Sequence, residues 1–150
     1  MASFNCNKTF TLNNFNDFFT SIHSNLKVFH LNIVSLNKNA SEFAVFIESL
    51  KIKFDIIILS EIRDINLAAY NNLFPNYDFL YNTPINSKAG GIGIFISNHI
   101  DYHQRYDLSI TNNCETLFIE IKGKGQNMIL RGIYRHTSYK QFFSRAFQKY

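Results

Sequence analysis

Two apolar runs set the fold class of this chain: FHLNIVSLN at positions 29–37 and FDIIILSE at positions 54–61. Each run indicates a buried strand, and each carries one polar side chain, Asn32 or Glu61, at or near its carboxyl end. In open α/β sheets, ligands bind where the carboxyl ends of adjacent strands meet. The two runs therefore predict a site that contains Asn32 and Glu61.

A helix is predicted between these two strands. Ser41 is its expected N-cap, after a turn over residues 35–40. Its apolar positions follow the i, i+3, i+4, i+7 pattern: Phe43, Phe46, Ile47 and Leu50. Four consecutive aliphatic residues at positions 56–59 indicate a second strand that is covered on both faces. A strand–helix–strand unit of this length predicts a parallel strand pair joined by a right-handed crossover.

The remaining elements follow from alternation and from the positions of glycine, proline and asparagine. Residues 1–26 are treated as a leader of uncertain order that includes a short helix within 14–22, and residues 27–150 as the domain. Strands are predicted at 77–81, 92–97, near 106–109, at 116–122 and at 127–135, with a hairpin turn at 123–126. An irregular or helical excursion is predicted at 64–74, and an amphipathic helix at 139–150.

Composition excludes several classes of protein. The hydrophobic fraction of 46% and the aromatic fraction of 16% exclude a disordered chain. The net charge of +4 favours polyanionic partners weakly. Cys6 and Cys114 form no metal-binding or disulfide framework, which predicts a reduced, intracellular protein. The sequence contains neither a signal peptide nor a run long enough to span a membrane, so no membrane partner is expected.

Taken singly, the candidate site residues leave alternatives open. Glu61 is placed to hold Mg²⁺ through its carboxylate, or it is a solvated residue at a loop entrance. Asn32, as a buried amide, either supports the core through hydrogen bonds or orients a group of the site. Tyr134 and Arg135 end a strand, where both could contact phosphate or simply lie on the surface.

Five short motifs occur in an order that is typical of one superfamily: LNIVSLN at 31–37, FDIIILSE at 54–61, GGIGIFI at 90–96, CETLFIEI at 114–121 and IYR at 133–135. With these motifs the chain resembles the endonuclease/exonuclease/phosphatase superfamily, which is also called DNase I-like. It is most similar to the apurinic-endonuclease-like domain of non-LTR retrotransposons. The resemblance covers roughly residues 27–150.

The resemblance implies a four-layered α/β sandwich that cleaves DNA phosphodiester bonds with Mg²⁺ or Mn²⁺. By motif, Glu61 matches the metal-binding glutamate of the family. Asn32 matches the asparagine that helps to position catalytic groups, and Tyr134 matches the tyrosine that contacts the scissile phosphate. Arg135 is a weaker candidate for a phosphate contact. If the substrate is chromosomal DNA, the resemblance implies a nuclear location.

The chain also departs from the family pattern. Members of the family carry a Gly-Asp-x-Asn motif, which orients the attacking water, and a Ser-Asp-His motif, which supplies the terminal histidine. Neither motif occurs after Tyr134 in this sequence. The resemblance therefore predicts an incomplete, N-terminal half of the sandwich with weak or no activity. An exposed inner sheet face would favour self-association. The alternatives are a phosphatase or lipid phosphodiesterase of the same superfamily, and a non-catalytic remnant that binds nucleic acid.

Overall fold

The computed structural model describes residues 11–20, 26–63, 66, 70, 73–84, 89–109 and 114–135. Within these ranges two helices and seven strands are formed, together with one turn of 3₁₀ helix at Tyr106–Leu108. In chain order the elements are α1 (Leu12–Thr20), β1 (Val28–Asn32), α2 (Leu36–Ser49), β2 (Ile56–Ser60), β3 (Tyr77–Asn82), β4 (Ile92–Ser97), β5 (Tyr102–Gln104), β6 (Cys114–Ile121) and β7 (Met128–Arg135).

The first sheet has the strand order β1-β2-β4-β3. β1 and β2 are parallel, which confirms the predicted strand–helix–strand unit, while β4 runs antiparallel to both β2 and β3. β2 is buried along its whole length. The prediction of a buried β1 is wrong, because β1 lies at the edge of this sheet and alternates exposed and half-buried residues.

The second sheet has the order β5-β6-β7 and packs face to face on the first. Gly132 of β7 lies opposite Leu117 of β6, and a Cβ at position 132 would stand 2.7 Å from Ile92 Cγ2 of the first sheet. Glycine therefore allows the two sheets to approach closely here. The shared core is almost entirely aliphatic: Ile56, Ile58, Ile92, Ile94, Ile96, Leu117, Ile119 and Ile121.

This packing corrects the expectation of a bare inner sheet face. Ile58 and Ile94, which point away from the helices, are 7% and 0% exposed because β6 and β7 cover them. The described residues thus form three of the four expected layers: helices, first sheet and second sheet. The apolar patch on which self-association was predicted is absent from this part of the structure, and self-association itself stays a prediction.

The outer face of the first sheet is covered by α2, which begins earlier than predicted. Its N-cap is Ser35 instead of Ser41, and Leu36 in its first turn is fully buried. Residues 35–40 resembled a turn because of their asparagines. In the structure, however, the Asn39 side chain donates a hydrogen bond to the Ile33 carbonyl at 2.7 Å. That bond fastens the first turns of the helix to the end of β1.

Helix α1 docks against the far end of α2. The buried Asn16 side chain accepts a hydrogen bond from the Lys51 backbone N–H at 2.9 Å and lies 3.5 Å from the Ser49 carbonyl. Phe15 and Phe19 pack on the aromatic core beneath the helices. The short helix predicted within residues 14–22 therefore forms at Leu12–Thr20 and contributes to the packed domain.

Two further predictions differ from the structure or lie beyond it. The short strand expected near 106–109 is the 3₁₀ turn Tyr106–Leu108, and the strand in this region is β5, four residues earlier in the chain. Most of the excursion expected at 64–74 and all of the helix expected at 139–150 lie outside the described residues. Among the described residues, no helix is long and apolar enough to cross a membrane.

Candidate active site

The parallel register of β1 and β2 brings the two polar strand ends together. Asn32 is the register partner of Ser60, so Glu61 follows immediately beside it. Glu61 has a φ of 57°, a left-handed conformation that ends the strand sharply. The Asn32 side chain donates a hydrogen bond from Nδ2 to Glu61 Oε1 at 2.8 Å.

The Asn32 amide is held in one orientation. Its Oδ1 accepts a hydrogen bond from the Val34 backbone N–H at 3.1 Å, which leaves Nδ2 to face Glu61. Asn32 is exposed, so the interpretation as a buried core amide is wrong. Of the two alternatives for this residue, the structure supports the one in which Asn32 orients a carboxylate.

Tyr134 reaches the same carboxylate from the second sheet. Its hydroxyl lies 3.4 Å from Glu61 Oε1, at the long end of hydrogen-bond distance. Burial raises the pKa of the Tyr134 hydroxyl, and the negative charge and hydrogen bond of Glu61 raise it further. Tyr134 is therefore a neutral hydrogen-bond donor at neutral pH.

Two charged residues that sequence reasoning missed also act on Tyr134. The buried Glu115 is its register partner across the β6–β7 pair, and the negative charge of Glu115 raises the Tyr134 pKa. The positive charge of Arg63 lowers it. Arg63 stands two residues after Glu61 with a φ of 59°, and its backbone N–H donates to the Gly90 carbonyl at 2.9 Å.

A signal for both residues was present in the sequence. Glu115 is the second residue of the motif CETLFIEI, and Arg63 follows the metal-binding candidate at a spacing of two. What was lacking was the register of β6 and β7 and the packing of one sheet on the other. Only these place Glu115 and Arg63 near Tyr134.

Arg135 is not brought to Glu61. Successive residues of a strand point to opposite faces, so Arg135 lies on the outer face of β7 when Tyr134 faces the first sheet. Its register partner on that outer face is Cys114. A phosphate contact by Arg135 stays a prediction, and it would require substrate that extends beyond the cluster of Asn32, Glu61 and Tyr134.

The chemistry of the cluster fits a hard divalent cation that keeps part of its water shell. Both hydrogen bonds to Glu61 go to Oε1, and among the described residues none is donated to Oε2. Mg²⁺ is commonly held by one or two carboxylates with several waters. No group of three or more His, Cys, Asp or Glu side chains lies together among the described residues, so a closed cage is not formed there.

No protein-family model and no curated protein matches the sequence. Solved structures do match the fold. The endonuclease domain of TRAS1, a telomere-specific non-LTR retrotransposon, superposes with a TM-score of 0.54 and 20% identity over 74% of this chain. TDP2 of D. rerio, complexed with a single-strand DNA product, gives a TM-score of 0.56 and 14% identity over 82% of this chain. The chain has the DNase I-like fold.

A truncated TDP2 of Caenorhabditis elegans matches to the same degree, with a TM-score of 0.53 and 19% identity over 75% of this chain. The share of each neighbour that is covered is smaller: 46% of the TRAS1 domain, 51% of the D. rerio protein and 47% of the C. elegans protein. This chain therefore spans about half the length of the structures it matches.

Proposed function

We propose that Asn32, Glu61 and Tyr134 form the metal- and phosphate-binding half of a Mg²⁺-dependent DNA phosphodiesterase site. The observation that carries the proposal is the convergence of the Asn32 amide and the Tyr134 hydroxyl, from two different sheets, on one carboxylate oxygen. Such an arrangement costs side-chain entropy and leaves the other oxygen of Glu61 available to a cation. The known proteins with this fold include an endonuclease domain and a protein crystallised with DNA product.

Each residue has a distinct role in this proposal. Glu61 holds Mg²⁺, or Mn²⁺ in its place, which when bound supplies positive charge to the phosphate and to the leaving oxygen. Asn32 fixes the orientation of the Glu61 carboxylate through the bond to Oε1. Tyr134, kept neutral by its raised pKa, donates a hydrogen bond to a non-bridging phosphate oxygen.

We also propose that the 150-residue chain cleaves DNA weakly or not at all by itself. The chain spans about half the length of the matched structures, and among the described residues no group of three or more His, Cys, Asp or Glu side chains lies together. A residue that orients and deprotonates the attacking water is needed for hydrolysis. Asn32, Glu61 and Tyr134 offer positioning and charge, and none of the three is assigned that role in the proposal.

DNA is the proposed partner, and the nucleus is the proposed location if that DNA is chromosomal. The net charge of +4 supports a polyanionic ligand. A second candidate is a remnant that binds DNA without cleaving it, which the half-site also favours. Binding of that kind would weaken steeply as salt is raised, because phosphate contacts release counterions.

A plasmid-nicking assay with a salt titration tests these proposals. Supercoiled plasmid is incubated with purified chain and Mg²⁺, and DNA affinity is measured by fluorescence anisotropy between 50 and 200 mM salt. We expect salt-sensitive binding with at most trace nicking. Robust Mg²⁺-dependent nicking that is lost in Glu61→Ala would contradict the proposed inactivity and support the site. Robust nicking that persists in Glu61→Ala would contradict the site itself.

A further inference from the structure

A second cluster of reactive side chains lies at the other end of β2. Asp55 directly precedes β2, and Ser97 is the last residue of the antiparallel neighbour β4. The Ser97 backbone N–H donates to the Asp55 carbonyl at 2.9 Å, which ties the two strand ends together. Five residues of extended chain lie between Asp55 and Glu61, so the two clusters are about 20 Å apart.

Asp55, His99 and Ser97 form a continuous hydrogen-bond relay. His99 Nε2 lies 3.0 Å from Asp55 Oδ1, and His99 Nδ1 lies 2.8 Å from Ser97 Oγ. Because a carboxylate only accepts, Nε2 carries the hydrogen toward Asp55, and in the neutral ring Nδ1 is then the acceptor for the Ser97 hydroxyl. Asp55 is itself fixed by the Lys27 backbone N–H, which donates to Oδ2 at 2.6 Å.

All three side chains line one cavity of about 600 Å³. This volume is in the range of sites for small organic molecules. Its walls are largely apolar and include the buried side chains of Leu50, Ile52, Phe54 and Phe74. A serine whose hydroxyl is hydrogen-bonded to a base, with that base oriented by a carboxylate, is the arrangement that activates a nucleophile.

We propose that Ser97 is an acyl-accepting nucleophile for small carboxylic esters with an apolar acyl group, an activity separate from the proposed phosphodiesterase site. Ser97 Oγ attacks the acyl carbon, and its proton passes to His99 Nδ1. The ester C–O bond breaks, and the leaving alcohol takes that proton from His99. Water then attacks the acyl-Ser97 ester in the same way and releases the carboxylic acid, so the site returns to its starting state.

The surroundings of Ser97 predict slow turnover. The backbone N–H groups of Ser97 and Asn98 donate to the carbonyls of Asp55 and Asn76, so neither is available to an oxyanion. The side-chain donors in the cavity wall include the carboxamide of Asn76 and the ammonium group of Lys53. Since the loss of one oxyanion donor costs about 10²–10³ in rate, covalent labelling of Ser97 is a better readout than ester turnover.

The test is labelling with an alkyl fluorophosphonate in EDTA at pH 8, followed by peptide mass spectrometry. We expect one adduct per chain, on Ser97, with no labelling at this position in Ser97→Ala. In His99→Gln the labelling rate should fall at least tenfold. The rate of p-nitrophenyl butyrate hydrolysis should also be highest in the wild type, lower in His99→Gln and lost in Ser97→Ala. EDTA removes divalent cations, so failure of the phosphodiesterase proposal would not affect this result.

Two variants serve as controls. Ser49→Ala removes an exposed serine whose hydroxyl is bonded to the Phe46 carbonyl and not to a histidine, and it should label at the wild-type rate. Glu61→Gln should do the same. Absence of an adduct on Ser97 in the folded chain, or an unchanged rate in His99→Gln, would overturn the proposal. Circular dichroism checks folding, and His99→Gln still tests the proposal if Ser97→Ala fails to fold.

Discussion

At the scale of single residues, the candidate site depends on hydrogen bonds that restrict the orientation of each side chain. The Asn32 amide is held between the Val34 N–H and Glu61, and the Tyr134 hydroxyl approaches the same carboxylate oxygen from the opposite sheet. The strand ends alone predicted Asn32 and Glu61, because parallel strands must bring their carboxyl ends together. The end of its strand marked Tyr134 as a possible phosphate contact with a surface position as the alternative, and only the resemblance to a family motif favoured the site, since no local pattern reveals which sheet will face Glu61.

A second tyrosine gives a prediction about alkaline pH. The Tyr102 hydroxyl donates to Asp78 Oδ2 at 3.2 Å and links the two sheets. Burial first, and then the charge of Asp78, raise the pKa of Tyr102 to about 12. A raised pKa stabilises the fold at every pH below the unfolded value of about 10, and this stabilisation is lost as the pH rises through about 12.

Tyr102→Phe should therefore lower the free energy of unfolding at pH 8 by about 1 kcal/mol, since solvent screening reduces the effect of a half-exposed pair. Between pH 10 and 12 the wild type should lose more stability than this variant. Urea unfolding at both ends of the range measures the difference. Tyr81→Phe, at an exposed tyrosine of β3, is the control and should follow the wild type. If the free energy of unfolding of the wild type and of Tyr102→Phe changed in parallel with pH, the raised pKa of Tyr102 would be refuted.

At the scale of elements, the predicted strand bounds are confirmed where the residue pattern and the packing of the core require the same element. Ile92–Ser97 was predicted at its observed bounds, because a buried central strand tolerates little besides aliphatic residues and glycine. The β6–β7 hairpin followed from alternation and from its glycine-containing turn. The start of α2 was missed because the asparagines at 37 and 39 resembled a turn, whereas the Asn39 side chain donates to the Ile33 carbonyl, six residues earlier and just after β1.

Gly132 gives a prediction about the contact between the two sheets. A methyl group there would stand 2.7 Å from Ile92 Cγ2, inside a core that has no room to yield. Gly132→Ala should therefore destabilise the protein by about 1–3 kcal/mol. Chemical denaturation measures the change in the free energy of unfolding.

Gly125, in the β6–β7 turn, provides the matched control. An alanine Cβ at position 125 meets nothing within 4 Å. Gly125→Ala should therefore change stability by no more than about 0.5 kcal/mol. Equal effects of the two substitutions would show that the sheets are not in contact at Gly132.

At the scale of the whole molecule, the candidate site depends on the relative position of the two packed sheets, because Tyr134 and Glu61 come from different sheets. Three polar contacts join the two sheets: Tyr102 with Asp78, Asn82 with the Thr116 carbonyl, and Tyr134 with Glu61. The sandwich was predicted only from the resemblance, and only its N-terminal half was expected. In the structure, the described residues contribute strands to both sheets of the sandwich instead of forming one sheet alone.

The chain spans about half the length of its structural neighbours, and the described residues include all three members of the proposed site. In the proposed site Glu61 follows β2 directly, and the two residues that contact its carboxylate come from β1 and β7. Among the described residues, no group of three or more His, Cys, Asp or Glu side chains that could hold a metal ion is found. We therefore expect cation binding to be measurable in this chain without DNA cleavage.

Binding of Mn²⁺, followed by paramagnetic broadening of backbone amide resonances, tests the central claim most directly. In the wild type, broadening should centre on Asn32, Glu61 and Tyr134, and it should be lost in Glu61→Gln. Glu48→Gln, which removes an exposed carboxylate of α2, should leave it unchanged. Broadening that persists in Glu61→Gln, or that centres on another part of the chain, would contradict the assignment of Glu61 as the metal ligand.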